Sequence, residues 1–116
     1  MTTYRRGGVV VVEVQYSDLS GAKRRPAVVV SSESFHRRLP DVVVCPISSQ
    51  PRYFTRPGPG DLPLLQWKKA GLRYPSTARV SKVVSVSKDT ITRRLGRIAP
   101  PDLRRVEERF REALGL

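Results

Sequence analysis

The chain contains one cysteine, Cys45, and one histidine, His36. A lone thiol excludes an internal disulfide, and the two residues together fall short of the roughly three or four soft ligands that a zinc site takes. A ribonuclease centre built on two histidines cannot come from one copy of the chain. Acidic residues are also scarce, 10 Asp and Glu against 22 Lys and Arg. They are scattered except near the C-terminus, where arginines sit beside them, so the carboxylate cluster of a two-metal nuclease is not expected. No metal ion or other cofactor is implied. No apolar run approaches the roughly eighteen residues that a membrane span needs. The basic residues ahead of the first apolar run meet no small-residue cleavage site, so a secretory signal is not expected either. The expectation is a cytoplasmic protein in a reducing compartment, not embedded in a membrane.

What the sequence has in excess is positive charge, a formal net +12 over 116 residues. That excess speaks to partners rather than to fold. The length suits one domain, expected to span residues 1–116. Cations concentrate at Arg5 and Arg6, Lys23 to Arg25, Arg37 and Arg38, Lys68 with Lys69 and Arg73, and Arg93 to Arg97. Tyr53, Phe54, Trp67 and Tyr74 stand among them. Phosphate backbones reward clustered cations through counterion release, and aromatic rings stack on exposed bases. The plainer alternative is a solubilising surface over core aromatics. His36, beside Arg37 and Arg38, reads as a surface residue rather than a base, and Cys45, inside an apolar run, as a small core hydrophobe. Composition reaches a basic nucleic-acid-binding domain and goes no further.

Along the chain, GVVVVEVQY at residues 8–16 predicts a strand, with alternation at Val12, Val14 and Tyr16. Residues 17–26, dense in Ser, Asp, Gly and Pro, predict a loop ending in three cations. Residues 27–32 predict a second strand, followed by a helical turn capped by Ser32 or Ser34 and stopped by Pro40. Residues 41–48 predict a third strand, whose far end Pro46 consigns to an edge or a bulge. The Pro- and Gly-rich stretch 51–61 predicts a mobile loop without regular structure. Residues 62–67 predict a short strand, 77–87 another, 89–94 a turn and 95–98 a last short strand. Residues 100–114 predict a helix, with prolines at its first positions, Asp102 in the first turn, and Leu103, Val106, Phe110, Ala113 and Leu114 on one face. Five or six short strands with one terminal helix exclude a doubly wound sheet and favour a mainly β fold, a small curved barrel plugged by the helix.

Three segments carry the reading further. RGGVVVVEV opens the first strand, KRRPAVVVS closes the loop and starts the second, and CPISSQ ends the third. VSKVVSVSKDTI and RLGRIAPPDLRRVEERFREALGL follow in order. From about Arg6 to Leu116 this order and spacing resembles the MazF/PemK family of toxin endoribonucleases. The resemblance implies an SH3-like barrel of the MazF/PemK/CcdB kind with a C-terminal α-helix. It also implies a homodimer, metal-independent cleavage of single-stranded RNA (mRNA) to 2′,3′-cyclic phosphate and 5′-hydroxyl ends, and neutralisation by an acidic cognate antitoxin. The family's catalytic arginine precedes the loop proline and is here Arg25, ahead of Pro26. Its catalytic threonine falls in the tripeptide matched by Pro46, Ile47 and Ser48, and so becomes Ser48. Lys23, Arg24, Gln50, Arg52, Tyr53 and Lys88 are the candidate RNA-binding residues around the groove, and the loop 51–61 the candidate determinant of base preference.

The chemistry can be stated from the side chains. Cleaving RNA by its own 2′-hydroxyl requires in-line geometry and stabilisation of extra phosphoryl charge. A guanidinium such as Arg25 aims two N–H groups at non-bridging oxygens. Ser48 keeps the hydroxyl of threonine and loses the methyl that stiffens it. The residues do not name the group that takes the first proton. The first-strand RGD or RGE of the family is here Arg6, Gly7, Gly8, so either Asp18 or Glu13 stands in for its acid or the loop is looser. Two further functions suit the same barrel, a non-catalytic RNA- or DNA-binding module and a gyrase-directed toxin. Metal-independent cutting of RNA separates the first reading from both.

Overall fold

The computed structural model describes residues 4–15 and 22–116. Its first three strands form an antiparallel meander: β1 (Gly8–Gln15), β2 (Ala22–Val29) and β3 (Asp41–Ser48). Consecutive β-branched residues make β1 and β3 stiff, pleated segments. The register sets Val9 against Val28 and Val12 against Arg25, then Ala27 against Pro46 and Val29 against Val44. The helical turn α1 (Glu33–Arg38) links β2 to β3, with the Ser32 hydroxyl accepting the Phe35 N–H as its cap.

Strand β3 is the organising element because it has two partners along one edge. Its first half pairs with β6 (Val84–Ser87) and its end with β5 (Thr77–Arg79), which also pairs with β4 (Asp61–Pro63). Cys45 and Pro46 fall between these two partners, so the N–H that proline lacks is missing where that ladder is interrupted. β7 (Ile91–Arg97) lies beyond β1, giving the order β4-β5-β3-β2-β1-β7 with β6 beside β3. Two register shifts between β1 and β7 bend this end of the sheet.

Period-2 alternation divides the buried residues into two clusters. Val9, Val28, Cys45 and Ile47 point to one, with Leu62, Leu64, Ala78, Val80 and Ile98, and Val106 of α3 (Pro100–Leu114) closes it. Val10, Val12, Ala27, Val29, Val42 and Val44 point to the other, with Tyr4 and, partly buried, Val86 and Ile91. Each fully buried valine contributes on the order of 1.5–3 kcal/mol of transfer free energy. The helix adds Leu103 and Phe110 to the first cluster, while Ala113 and Leu114, expected on the same face, are exposed. Among the described residues no strand pair joins β4 to β7, so the sheet is curved but not closed, and barrel is a loose word for it. Backbone packing bridges the gap instead. A Cβ on Gly71 would stand 2.3 Å from the Leu95 carbonyl oxygen, and one on Gly96 2.8 Å from that of Ala70.

Several local expectations are corrected. Residues 51–55 form a helical turn, α2 (Pro51–Thr55), because Pro51 occupies its first position with φ already suited to a helix. Residues 22–26, expected as loop, belong to β2, where pairing with β1 overrides their turn-like composition. The stretch 77–87 is two strands separated by a 3-10 turn, Val80–Lys82, because the two halves pair with different parts of β3. Residues 91–97 form one strand rather than a turn and a short strand. His36 is buried, its ring bonded to the Ser31 hydroxyl and the Tyr4 carbonyl, and is not a surface residue. The expected end of the first strand at Tyr16, and Asp18, lie outside the described residues. Among the described residues no helix is long and apolar enough to cross a membrane.

Candidate active site

Strand alternation decides where the neighbouring arginines of β2 go. Arg25 shares a sheet face with its cross-strand partner Val12 and with Ala27, whereas Arg24, opposite Glu13, is on the other face. The Ala27–Pro46 pair then brings Arg25 beside the end of β3. There Arg25, Pro46, Ile47 and Ser48 line one cleft of about 460 Å³, together with Gln50, Tyr53, Arg79 and Lys82. The two residues named for catalysis from the sequence thus border the same space, reached from different strands. Lys23, also exposed, is on Arg25's face by the same period.

Ser48 is the last residue of β3, and its hydroxyl oxygen accepts the Gln50 N–H at 3.2 Å. Its own proton remains available for a ligand oxygen. The α2 turn follows directly and carries Tyr53 to the cleft wall, with Arg52 beside it. The Arg52 Nη2 donates to the Tyr53 hydroxyl at 2.7 Å, with its guanidinium carbon 4.7 Å from the ring centroid.

Besides Lys82, sequence reasoning missed Arg79. Its guanidinium lies 3.8 Å from the Tyr53 ring centroid, and its Nε donates to Asp61 Oδ1 at 2.9 Å. Asp61 is 5% exposed, and its second oxygen accepts the Gly58 N–H at 3.0 Å. The signal that would have found this pair is the β4–β5 register, which sets Asp61 directly against Arg79. Neither short strand announces that pairing. Arg25, Arg79 and Lys82 make the cleft cationic, with Asp61 the only carboxylate in contact with these lining cations among the described residues.

Other candidates lie elsewhere. The Lys88 ammonium donates to the His36 carbonyl, on the far half of β3 from the cleft. Arg6 bonds the Val30 carbonyl at 3.2 Å and Glu107 at 3.0 Å, tying the start of β1 to α3. Gly7, at φ 90, donates to Val29 and accepts from Ile98, and Gly8 lines a separate pocket of about 150 Å³ with Tyr4, Arg5 and Arg97. Burial pushes the Cys45 thiol up to about 12, leaving it protonated and unsuited to nucleophilic attack.

The fold has counterparts among known proteins. The model of a family of PemK-like, MazF-like toxins of type II toxin-antitoxin systems matches residues 5–114. The chain belongs to this family. Solved structures agree with this MazF-like toxin in fold. A mycobacterial endoribonuclease in complex with its cognate antitoxin superposes with a TM-score of 0.77 at 22% identity, over 100% of this chain and 97% of the other. The MazE-MazF structure (Form-II) from Deinococcus radiodurans gives 0.81 at 17% identity, over 100% and 99%. The Mycobacterium tuberculosis toxin MazF-mt6 gives 0.71 at 20% identity, over 92% and 97%. No curated protein matches the sequence.

Proposed function

We propose that this toxin is a metal-independent endoribonuclease that cuts single-stranded mRNA through the strand's own 2′-hydroxyl. The observation that carries the reading is the meeting of Arg25 and Ser48 in one cationic cleft. The 2′-oxygen attacks phosphorus, its proton leaves to a base, the bond to the 5′-oxygen breaks and that oxygen takes up a proton. The products are a 2′,3′-cyclic phosphate and a 5′-hydroxyl. Because the nucleophile belongs to the substrate, the protein's task is to align it and to stabilise charge on the non-bridging oxygens. Arg25 does the second directly, with a bidentate fork. Ser48, its oxygen committed to Gln50, donates its proton to the same phosphate and holds the attack line. Lys23, Gln50, Arg52 and Tyr53 contact the strand on either side.

The same charge logic gives the partners. A chain of net +12 meets an acidic antitoxin whose extended segment lies along the cleft and competes with RNA. Two copies pair as a homodimer, joining their clefts into a longer groove. Family membership and the mycobacterial and Deinococcus structures named with an antitoxin support this reading.

The test is incubation of the purified protein with a long single-stranded RNA in EDTA, beside Arg25→Ala and Ser48→Ala. Site-specific cuts with cyclic phosphate ends, lost in both variants, are the expected result. RNA that stays intact while shifting in a gel would sink the catalytic reading and leave a binding module.

A further inference from the structure

We infer that Arg79 is a second RNA-binding guanidinium of the cleft, held by Asp61 as a positioning residue and directed at a backbone phosphate next to the scissile one. The inference rests on the endoribonuclease reading of this cleft.

Two contacts and the strand register fix the Arg79 side chain. The Nε is engaged by Asp61, one face lies on the Tyr53 ring, and the opposed strands set Asp61 and Arg79 side by side. Asp61 cannot swing away, because its other oxygen holds the Gly58 N–H and its side chain is buried. Tyr53 is in turn held at its hydroxyl by Arg52. What remains of Arg79 is the edge carrying its terminal nitrogens, on a side chain that borders the cleft. A planar fork already immobilised loses little further freedom on binding, and its outward donors suit two oxygens of one phosphate.

The charge balance separates this arginine from Arg25. Arg79 is partly compensated by Asp61, whereas among the described residues Arg25 forms no ion pair with a carboxylate. New charge on the scissile phosphate is best met by the uncompensated cation. The compensated one serves ground-state binding of a flanking phosphate, which is the same before and after the transition state. One consequence concerns Tyr53. With Arg79 on its ring, that face supports the guanidinium and is closed to a base, which leaves the rest of Tyr53 to meet the strand.

The test uses the full chain with two RNAs of one sequence, the natural strand and a copy 2′-O-methylated throughout, which lacks the nucleophile. Binding of the methylated copy is followed across a salt series, and cleavage of the natural strand in EDTA gives kcat and KM. Arg79→Gln keeps a donor for Asp61 and removes the cation. The expected result is binding weakened about tenfold, a salt slope reduced by about 0.7, KM raised to match, and kcat within a factor of about three of wild type. Asp61→Asn, which leaves the cation but loosens it, weakens binding with the slope unchanged. Arg104→Ala, on the exposed side of α3, changes neither quantity; an equal loss of slope in it would overturn the assignment as a general charge effect. Unchanged binding and slope in Arg79→Gln overturn the inference while leaving the nuclease intact. A fall in kcat at constant KM overturns it too, since the residue would then act on the scissile phosphate. If the wild type binds but never cuts, the nuclease reading fails by itself, and the slope of Arg79→Gln on the methylated strand still decides for or against the contact.

Discussion

The hydroxyl of Ser48 accepts the backbone N–H of Gln50, so the last residue of β3 is tied to the residue that precedes the α2 turn. One side chain therefore has a structural bond and keeps its own proton to donate, on a residue that lines the cleft. Ser48→Ala loses both. The expected cost in stability is about 1 kcal/mol, measurable by denaturant midpoint, against a fall of about 100-fold or more in RNA cleavage. Ser48→Thr keeps the oxygen and adds a methyl that restricts rotation, so activity is retained or raised. Equal and small effects of both substitutions on cleavage would refute a catalytic role for this hydroxyl.

Arg25 is exposed on β2, and its partner across the strand is the buried Val12. Replacing it by alanine leaves the core intact, so cleavage is expected to fall about 100- to 1,000-fold with an unchanged thermal transition. Arg25→Lys keeps the charge but not the fork, and recovers only a minor part. Near-complete rescue by lysine would show that charge alone suffices.

Asp102 is 1% exposed and accepts the N–H groups of Leu65 and Gln66 at 3.1 and 2.9 Å, with Arg105 at 3.0 Å. The first turn of α3 is thereby fastened to the segment after β4. Asp102→Ala strands both amides and is expected to cost about 2–4 kcal/mol, read from urea unfolding. Asp102→Asn keeps one acceptor and costs less. A neutral Asp102→Ala would mean that these amides find water instead.

The Cys45 thiol ionises near 9.0 when unfolded and, desolvated in the core, only at about 12 when folded. Between these values the unfolded chain has lost the proton that the folded chain retains. Stability that this group leaves untouched below pH 9.0 is therefore lost as pH rises toward about 12, by about 1.4 kcal/mol per unit within the window. Unfolding of wild type and Cys45→Ala compared at about pH 8 and about pH 10.5 isolates the effect as a difference of slopes. The native thiol is also expected to resist alkylation at neutral pH until urea exposes it.

Gly71 sits at φ 86 with its missing Cβ 2.3 Å from the Leu95 carbonyl oxygen. Gly71→Ala is expected to cost more than about 2 kcal/mol, since both the backbone conformation and the packing against β7 must shift. A small change in the melting temperature would show that residues 68–72 yield without disturbing the strand.

The elements legible in the sequence are those whose signal is local. The valine runs of β1 and β3 and the apolar stripe of α3 carry their own period, and Arg25 and Ser48 are named through the family resemblance that the motifs around them carry. The helical turn at Pro51, the split of 77–87 and the burial of His36 were not legible, because each depends on what a distant segment supplies. β3 offers two docking places to one continuous stretch, and Ser31 and Tyr4 satisfy both ring nitrogens of His36.

By itself the sequence determined that the fold is mainly β with a closing helix, that the surface is cationic, and which arginine precedes the β2 proline. Tertiary structure alone decided that Arg24 and Arg25 part to opposite faces, that Lys88 anchors to the His36 carbonyl instead of the cleft, and that Arg79 stands on Tyr53 with Asp61 behind it. The physical reason is range. Propensity and periodicity act over a few neighbouring residues, whereas a cleft is made by register between strands whose pairing no local pattern encodes.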